Sequence, residues 1–189
     1  MRALIVIIAT IVAMAFDSSF GGVFTLRSVG SITPLAMPCL VVFISLFAPE
    51  TIVFLLALLL GVLVDLSPGQ GQLPGGIHLI GPHALGYLVT ALLVVKIRVI
   101  VFRRRVLTLA VLAAGSVFVT GSVYALVMLV RGILPWAEVA SGGGIEAFAK
   151  LLGTAIYTGL LAVPLGWCML ATIGMWRFKS PTSRRATWR

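Results

Sequence analysis

The stretch 106-VLTLAVLAAGSVFVTGSVYALVMLV-130 runs for 25 residues without a charged side chain. It is far longer than an ordinary strand, and a helix of that length on a soluble protein would need a polar face toward water. A helix crossing the hydrocarbon core of a bilayer needs about 20 mostly apolar residues. This stretch supplies them, with Arg103-Arg104-Arg105 at one end and Arg131 at the other. Read as a membrane-spanning helix, it identifies lipid as the solvent for the rest of the chain.

The composition agrees. Of 189 residues, 60% are hydrophobic and only 10% charged, and the mean hydropathy is +1.17. A water-soluble domain of this size needs more charge to cover its surface. The loops between apolar runs are too short for a separate soluble domain, so one membrane domain is expected to account for residues 1–176, with a basic cytoplasmic tail over 177–189. Apolar runs place spans at about 2–20, 32–47, 51–66, 83–101, 106–130 and 148–176. The expected fold is therefore an all-α integral membrane protein, a six-transmembrane-helix bundle. Near the N-terminus Arg2 precedes the apolar run Ala3 to Phe16, but no small-x-small cleavage site with a polar mature domain follows. The run reads as an uncleaved first helix. Ala48-Pro49-Glu50 reads as a tight reversal between the second and third spans, because proline disfavours helix at the residue before it. Pro38 and Pro164 lie inside apolar runs and are expected to kink the second and sixth spans.

Basic residues orient such a bundle, since cytoplasmic loops are enriched in Lys and Arg. With both termini cytoplasmic, the inner side holds Arg2, Lys96, Arg98, Arg103, Arg104, Arg105, Arg177, Lys179, Arg184, Arg185 and Arg189. The outer side holds only Arg27, Arg131 and Lys150. The bias explains the net charge of +9 through anionic lipid headgroups rather than nucleic acid. Lys96, Arg98, Arg103, Arg104 and Arg105 are the candidates for contact with lipid or a cytoplasmic partner. The location that follows is a membrane crossed several times with both termini cytoplasmic. Four-apart pairs of small residues, Ala110/Ala114, Ser116/Thr120 and Gly121/Ala125 on the fifth span and Ala155/Gly159 on the sixth, suit close helix packing.

Chemistry-bearing residues are few. Asp17 and Asp65 lie near the outer ends of the first and third spans, and intramembrane carboxylates are functional candidates by default. A pair could serve as the acid and base of an aspartyl protease. The Asn and Arg flanks of lipoprotein signal peptidases are missing, however: Leu66 follows Asp65 and Ser18 follows Asp17. Both are read as interfacial or loop-capping. His78 and His83 have no carboxylate or cysteine at ligand spacing, and Cys39 and Cys168 lie inside apolar runs. The glycine-rich stretch from Gly69 to Gly76 lacks the Lys-Ser/Thr of a phosphate loop. No catalytic residue, metal site or cofactor site is expected, and the chain is not read as an enzyme.

One motif remains. Gly61-Val62-Leu63-Val64-Asp65-Leu66-Ser67-Pro68-Gly69, followed by Gly81-Pro82-His83-Ala84-Leu85-Gly86, resembles the MreD family of rod-shape-determining proteins. That family has Gly-x-x-x-Asp-Leu with a glycine close behind, then Gly-x-x-Ala-Leu opening the next helix and a basic cluster after it. The connection between Gly69 and Gly81 is longer here than in the family pattern. The resemblance marks Gly61, Asp65, Gly69, Gly81, Ala84 and Leu85 as motif positions with a structural role. Asp65 would hydrogen-bond free backbone groups of the turn, and glycine would permit close backbone approach. It further implies a non-enzymatic membrane scaffold of the cell-elongation machinery, located in the bacterial inner membrane and associated with the bitopic protein MreC. Through MreC it would reach the MreB filament and the RodA/penicillin-binding-protein pair that builds peptidoglycan. The family fold is similar to the substrate-binding subunits of energy-coupling-factor transporters. The alternative is accordingly a small-molecule-binding subunit of a transporter, for which Tyr87, Tyr124, Tyr157 and Trp167 are candidate cavity residues.

Overall fold

The computed structural model describes residues 3–20, 23–25, 32–67, 80–100, 105–132 and 144–176, and every regular element among them is helical. In chain order these are α1 (Ala3–Ala15), which runs on into a π-helical turn at Phe16–Phe20, then α2 (Met37–Phe47), α3 (Glu50–Leu66), α4 (Pro82–Ile97), α5 (Val106–Gly132), α6 (Gly144–Ala171) and the single turn α7 (Ile173–Trp176). Two of them, over Val106–Arg131 and Phe148–Ala171, are long and apolar enough to cross a membrane. The segments Ser67–Pro82 and 133–143 fall largely or wholly outside the described residues, as does the tail over 177–189.

The organising element is α2. It has 11 residues, about 16 Å of helix at 1.5 Å per residue. Every side chain from Met37 to Leu46 is buried. A helix that is apolar all round belongs in the interior, and α1, α3, α4, α5 and α6 all pack against it. The apolar run beginning at Ile32 is thus not helical from its start. Pro34 would leave a gap in a helix ladder and restrains Thr33 before it. Pro38, instead of kinking a longer helix, occupies the first turn of α2, where a missing N–H costs nothing. Ala48 is extended (ψ 159°) and α3 starts directly after Pro49, so the reversal falls on Ala48-Pro49. Pro164 is accommodated inside α6.

Successive helices alternate in direction, as their contacts show. Gly61 near the end of α3 meets Ala84 at the start of α4, and Gly86 on α4 meets Thr120 on the second half of α5. Gly121, Gly159 and Gly166 bring α5 and α6 together in antiparallel order, against Leu151, Ala114 and Leu109. The residues Ala110, Ala114, Gly121 and Gly159, spaced for close packing, therefore do sit between helices. At Gly61 nothing larger fits: an added Cβ would lie 2.7 Å from Ala84 N and 2.8 Å from His83 O, both backbone atoms. The outward faces carry large apolar side chains, among them Leu4, Ile7, Ile8, Ile11 and Val12 on α1, Leu55 and Leu59 on α3, Leu107, Val111, Leu126 and Leu129 on α5, and Ile156 and Leu160 on α6.

Candidate functional site

A helix start leaves its first N–H groups without partners inside the helix. At the start of α4 they are met by Asp65 from the last turn of α3. Gly81 N–H donates to Asp65 Oδ2 at 2.8 Å, Ala84 N–H to the same oxygen at 3.3 Å, and His83 N–H to Oδ1 at 3.2 Å. The His83 ring adds Nδ1 at 2.7 Å from Oδ1. A carboxylate only accepts, so that contact places the Nδ1 hydrogen on His83. Asp65 is 0% exposed, and both its oxygens are occupied by protein donors. Two sequence features permit the arrangement. Gly81 holds φ at +130°, a conformation open to glycine and strained for other residues. Gly61 lets the start of α4 sit directly against α3. Gly61, Asp65, Gly81 and Ala84 are thus brought into one unit. Leu85, 49% exposed, points away from it, and Gly69 lies outside the described residues.

Asp17 does the same for α2. From the π-helical turn after α1 it accepts from Ala36 N–H at 2.6 Å and Met37 N–H at 3.0 Å. The next free amide back, Leu35 N–H, donates to Thr158 Oγ1 of α6 at 3.1 Å. Negative charge at a helix N-terminus is favourable because the peptide dipoles sum to partial positive charge there. Both devices share a pattern: a helix ending in aspartate, a connection, then a helix with proline in its first turn. The repeated order, an aspartate near the end of one apolar run and a proline opening the next helix, Asp17 then Pro38 and Asp65 then Pro82, is the signal in the sequence that could have paired the two.

The far end of α2 is held by the opposite charge. Arg98, just past α4, donates from Nη1 to Ala48 O at 2.8 Å and Ser45 O at 3.4 Å, and from Nη2 to Glu50 Oε1 at 2.9 Å. This corrects the expectation that Arg98 faces lipid or a cytoplasmic partner. Its side chain is 7% exposed, because the carbonyls at the end of a buried helix require donors that no solvent can supply. Lys96 and Arg105 are exposed at the same end, and Arg103 and Arg104 lie outside the described residues. Compared with protein-family models, with curated proteins and with solved structures, the chain finds no match. What the site can do follows from its own groups.

Beside the Asp65–His83 pair lies a cavity of about 900 Å³. It is bounded by Thr33, Leu35 and Pro38 leading into α2, His83 and Tyr87 on α4, Val117 to Leu129 on α5, and Phe148, Lys150, Leu151 and Thr154 on α6. Of the four aromatic residues singled out in the sequence, Tyr87 and Tyr124 share its wall, while Tyr157 and Trp167 do not border it. The His83 and Tyr124 rings stand 5.4 Å apart, centroid to centroid. Periodicity could not reveal this cavity, since it arises where four helix segments diverge.

Proposed function

We propose that this chain is a multi-pass protein of the bacterial inner membrane and a non-enzymatic scaffold of the MreD type. The observation that carries the reading is the assembly of the motif residues into one structural unit: Gly61 seats the start of α4 and Asp65 caps it. In that unit the Gly-x-x-x-Asp and Gly-x-x-Ala elements have a shared purpose, which is to dock α4 onto α3 without leaving buried amides unpaired. The membrane placement is supported by the outward-facing leucines and isoleucines and by two helices of spanning length. Six crossings with both termini cytoplasmic agree with the alternating helix directions and with Lys96 and Arg105 at the end opposite Arg131 and Lys150. With Asp17 and Asp65 engaged in capping helices and apolar faces turned outward, the chain suits a role in holding partners in the bilayer. The partners on this reading are an MreC-type bitopic protein and, through it, the MreB filament and the RodA/penicillin-binding-protein pair, with anionic lipid at the basic turn.

Affinity purification of the tagged chain in mild detergent, with mass spectrometry, tests the reading. An MreC-like bitopic protein should be recovered, with or without RodA and its transpeptidase. The cavity favours one other reading, a small-molecule-binding subunit of a transporter similar to the energy-coupling-factor type. Recovery of ATPase subunits without cell-wall proteins would decide for it.

A further inference from the structure

Thr90, Thr120 and Tyr87 are 2%, 6% and 2% exposed, and none of their hydroxyls has a hydrogen-bond partner among the described residues. They differ in where they open. The hydroxyls of Thr90 and Thr120 are sealed by the packing around them, so nothing entering the molecule reaches them. The Tyr87 hydroxyl is not sealed. Tyr87 forms part of the wall of the cavity of about 900 Å³, and in so buried a residue the surface left to that oxygen faces the cavity. An unmet hydroxyl at a buried position is rare and costly unless something entering the site meets it.

His83 stands one turn earlier on α4 and lines the same cavity; residues four apart share a helix face. Its Nδ1–H is committed to Asp65 Oδ1 at 2.7 Å, which leaves Nε2 as an acceptor. No described residue donates to Nε2, and the side chain is 18% exposed. The Tyr124 ring stands beside it, 5.4 Å from the His83 ring, and Leu35, Val117, Leu126 and Phe148 make much of the remaining wall hydrocarbon. An acceptor of fixed tautomer and a free hydroxyl thus sit on adjacent turns of one helix, within a cavity whose volume falls in the range of ligand pockets.

The charges nearby select against ions. The carboxylates of Asp17 and Asp65 both act on the Tyr87 hydroxyl and disfavour an anionic head beside it. Lys150, exposed on α6 at the edge of the cavity, disfavours the passage of a cation. We infer that the cavity binds an uncharged small molecule with an apolar body, whose hydroxyl or amide head donates to His83 Nε2 and accepts from the Tyr87 hydroxyl. On the transporter reading this names the ligand class, and on the scaffold reading it adds a ligand. It rests on neither, since the partners recovered with the chain decide between those readings without testing the cavity.

Octanol is a probe with such a head. Octyl methyl ether accepts but cannot donate, and octanoate and octylammonium carry charge. His78→Gln leaves His83 as the only histidine, so NMR of the full chain in nanodiscs, with isotope-labelled histidine, reads its two ring nitrogens directly. At mildly alkaline pH the unliganded chain should show Nδ1 protonated and Nε2 bare; a proton on Nε2 would overturn the proposal. Octanol should then move the Nε2 signal saturably and bind about fivefold tighter than the ether, the effect of one neutral hydrogen bond. Equal affinities would remove His83 from the site and refute it. Tyr87→Phe, which keeps the ring, should weaken octanol and ether alike by about fivefold. Ala125→Phe, at an exposed position on the cavity wall, should block both. Octanoate or octylammonium binding more tightly than octanol would assign the site to an ion and exclude the uncharged class. Shifts that do not saturate, or that persist unchanged in Tyr87→Phe and Ala125→Phe, would mean partition into the bilayer and no site.

Discussion

Replacing Asp65 by alanine removes the acceptor for four donors at the start of α4. Two of the contacts are short, Gly81 N–H at 2.8 Å and His83 Nδ1 at 2.7 Å, and two are long, at 3.2 and 3.3 Å. Hydrogen bonds to a charged group contribute about 1.5–3 kcal/mol each, and deleting one partner leaves the other's desolvation uncompensated. Counting only the two short contacts gives a loss of about 3–6 kcal/mol, close to the scale seen when a buried pair loses one member. For a chain of this size that corresponds to a fall in Tm of roughly 10 °C. The assay is a thermal melt in detergent, followed by tryptophan fluorescence and by retention of a monodisperse peak on size exclusion. Asp65→Asn keeps one acceptor oxygen and points an amide donor at the remaining N–H groups, so it should fall between wild type and Asp65→Ala. Leu85→Ala, at the exposed motif position, is the control and should shift Tm little. A melt of Asp65→Ala within about 2 °C of wild type would refute the claim that this carboxylate docks α4 onto α3.

Asp17→Ala should behave similarly at the start of α2, losing about 3–6 kcal/mol for its two contacts at 2.6 and 3.0 Å, read by the same melts. Gly61→Val drives a side chain into the Ala84 and His83 backbone, which cannot move aside as a side chain can; little monodisperse protein should survive size exclusion. Arg98→Met should destabilise by about 2–4 kcal/mol, because the α2 carbonyls lose their donors, whereas Glu50→Gln, at a side chain 63% exposed, should cost under about 1 kcal/mol. If the two variants melt alike, Arg98 acts through Glu50 and not through the helix end. Gly81→Ala must hold φ +130° with a Cβ present and should cost about 1–3 kcal/mol, measurable by denaturant titration in mixed micelles.

Much of this architecture is local chemistry and is legible without a structure. Uncharged runs of helix-forming residues made every regular element among the described residues helical, and Pro49 placed the turn between α2 and α3 because proline acts on its own ladder and on the residue before it. The Gly61…Asp65 and Gly81…Ala84 elements could be paired because they fall on either side of one connection. Hydropathy did not show that helix would wait until Met37, since it is the same for extended and helical backbone; Pro34 and Pro38 were the local signal. Other features belong to the tertiary structure alone. Asp17 becomes the cap of α2 only once α1 packs beside it, and Thr158 becomes the acceptor for Leu35 only once α6 arrives from far along the chain. Arg98 belongs to a basic cluster in the sequence and to the end of a buried helix in space. Charge counting puts it with Lys96 and Arg105, but the unpaired carbonyls of α2, out of reach of solvent, draw it inward. The cavity is likewise a property of how α2, α4, α5 and α6 diverge. Composition determines the environment each residue prefers; which partner relieves a buried charge or amide depends on what packing brings within about 3 Å.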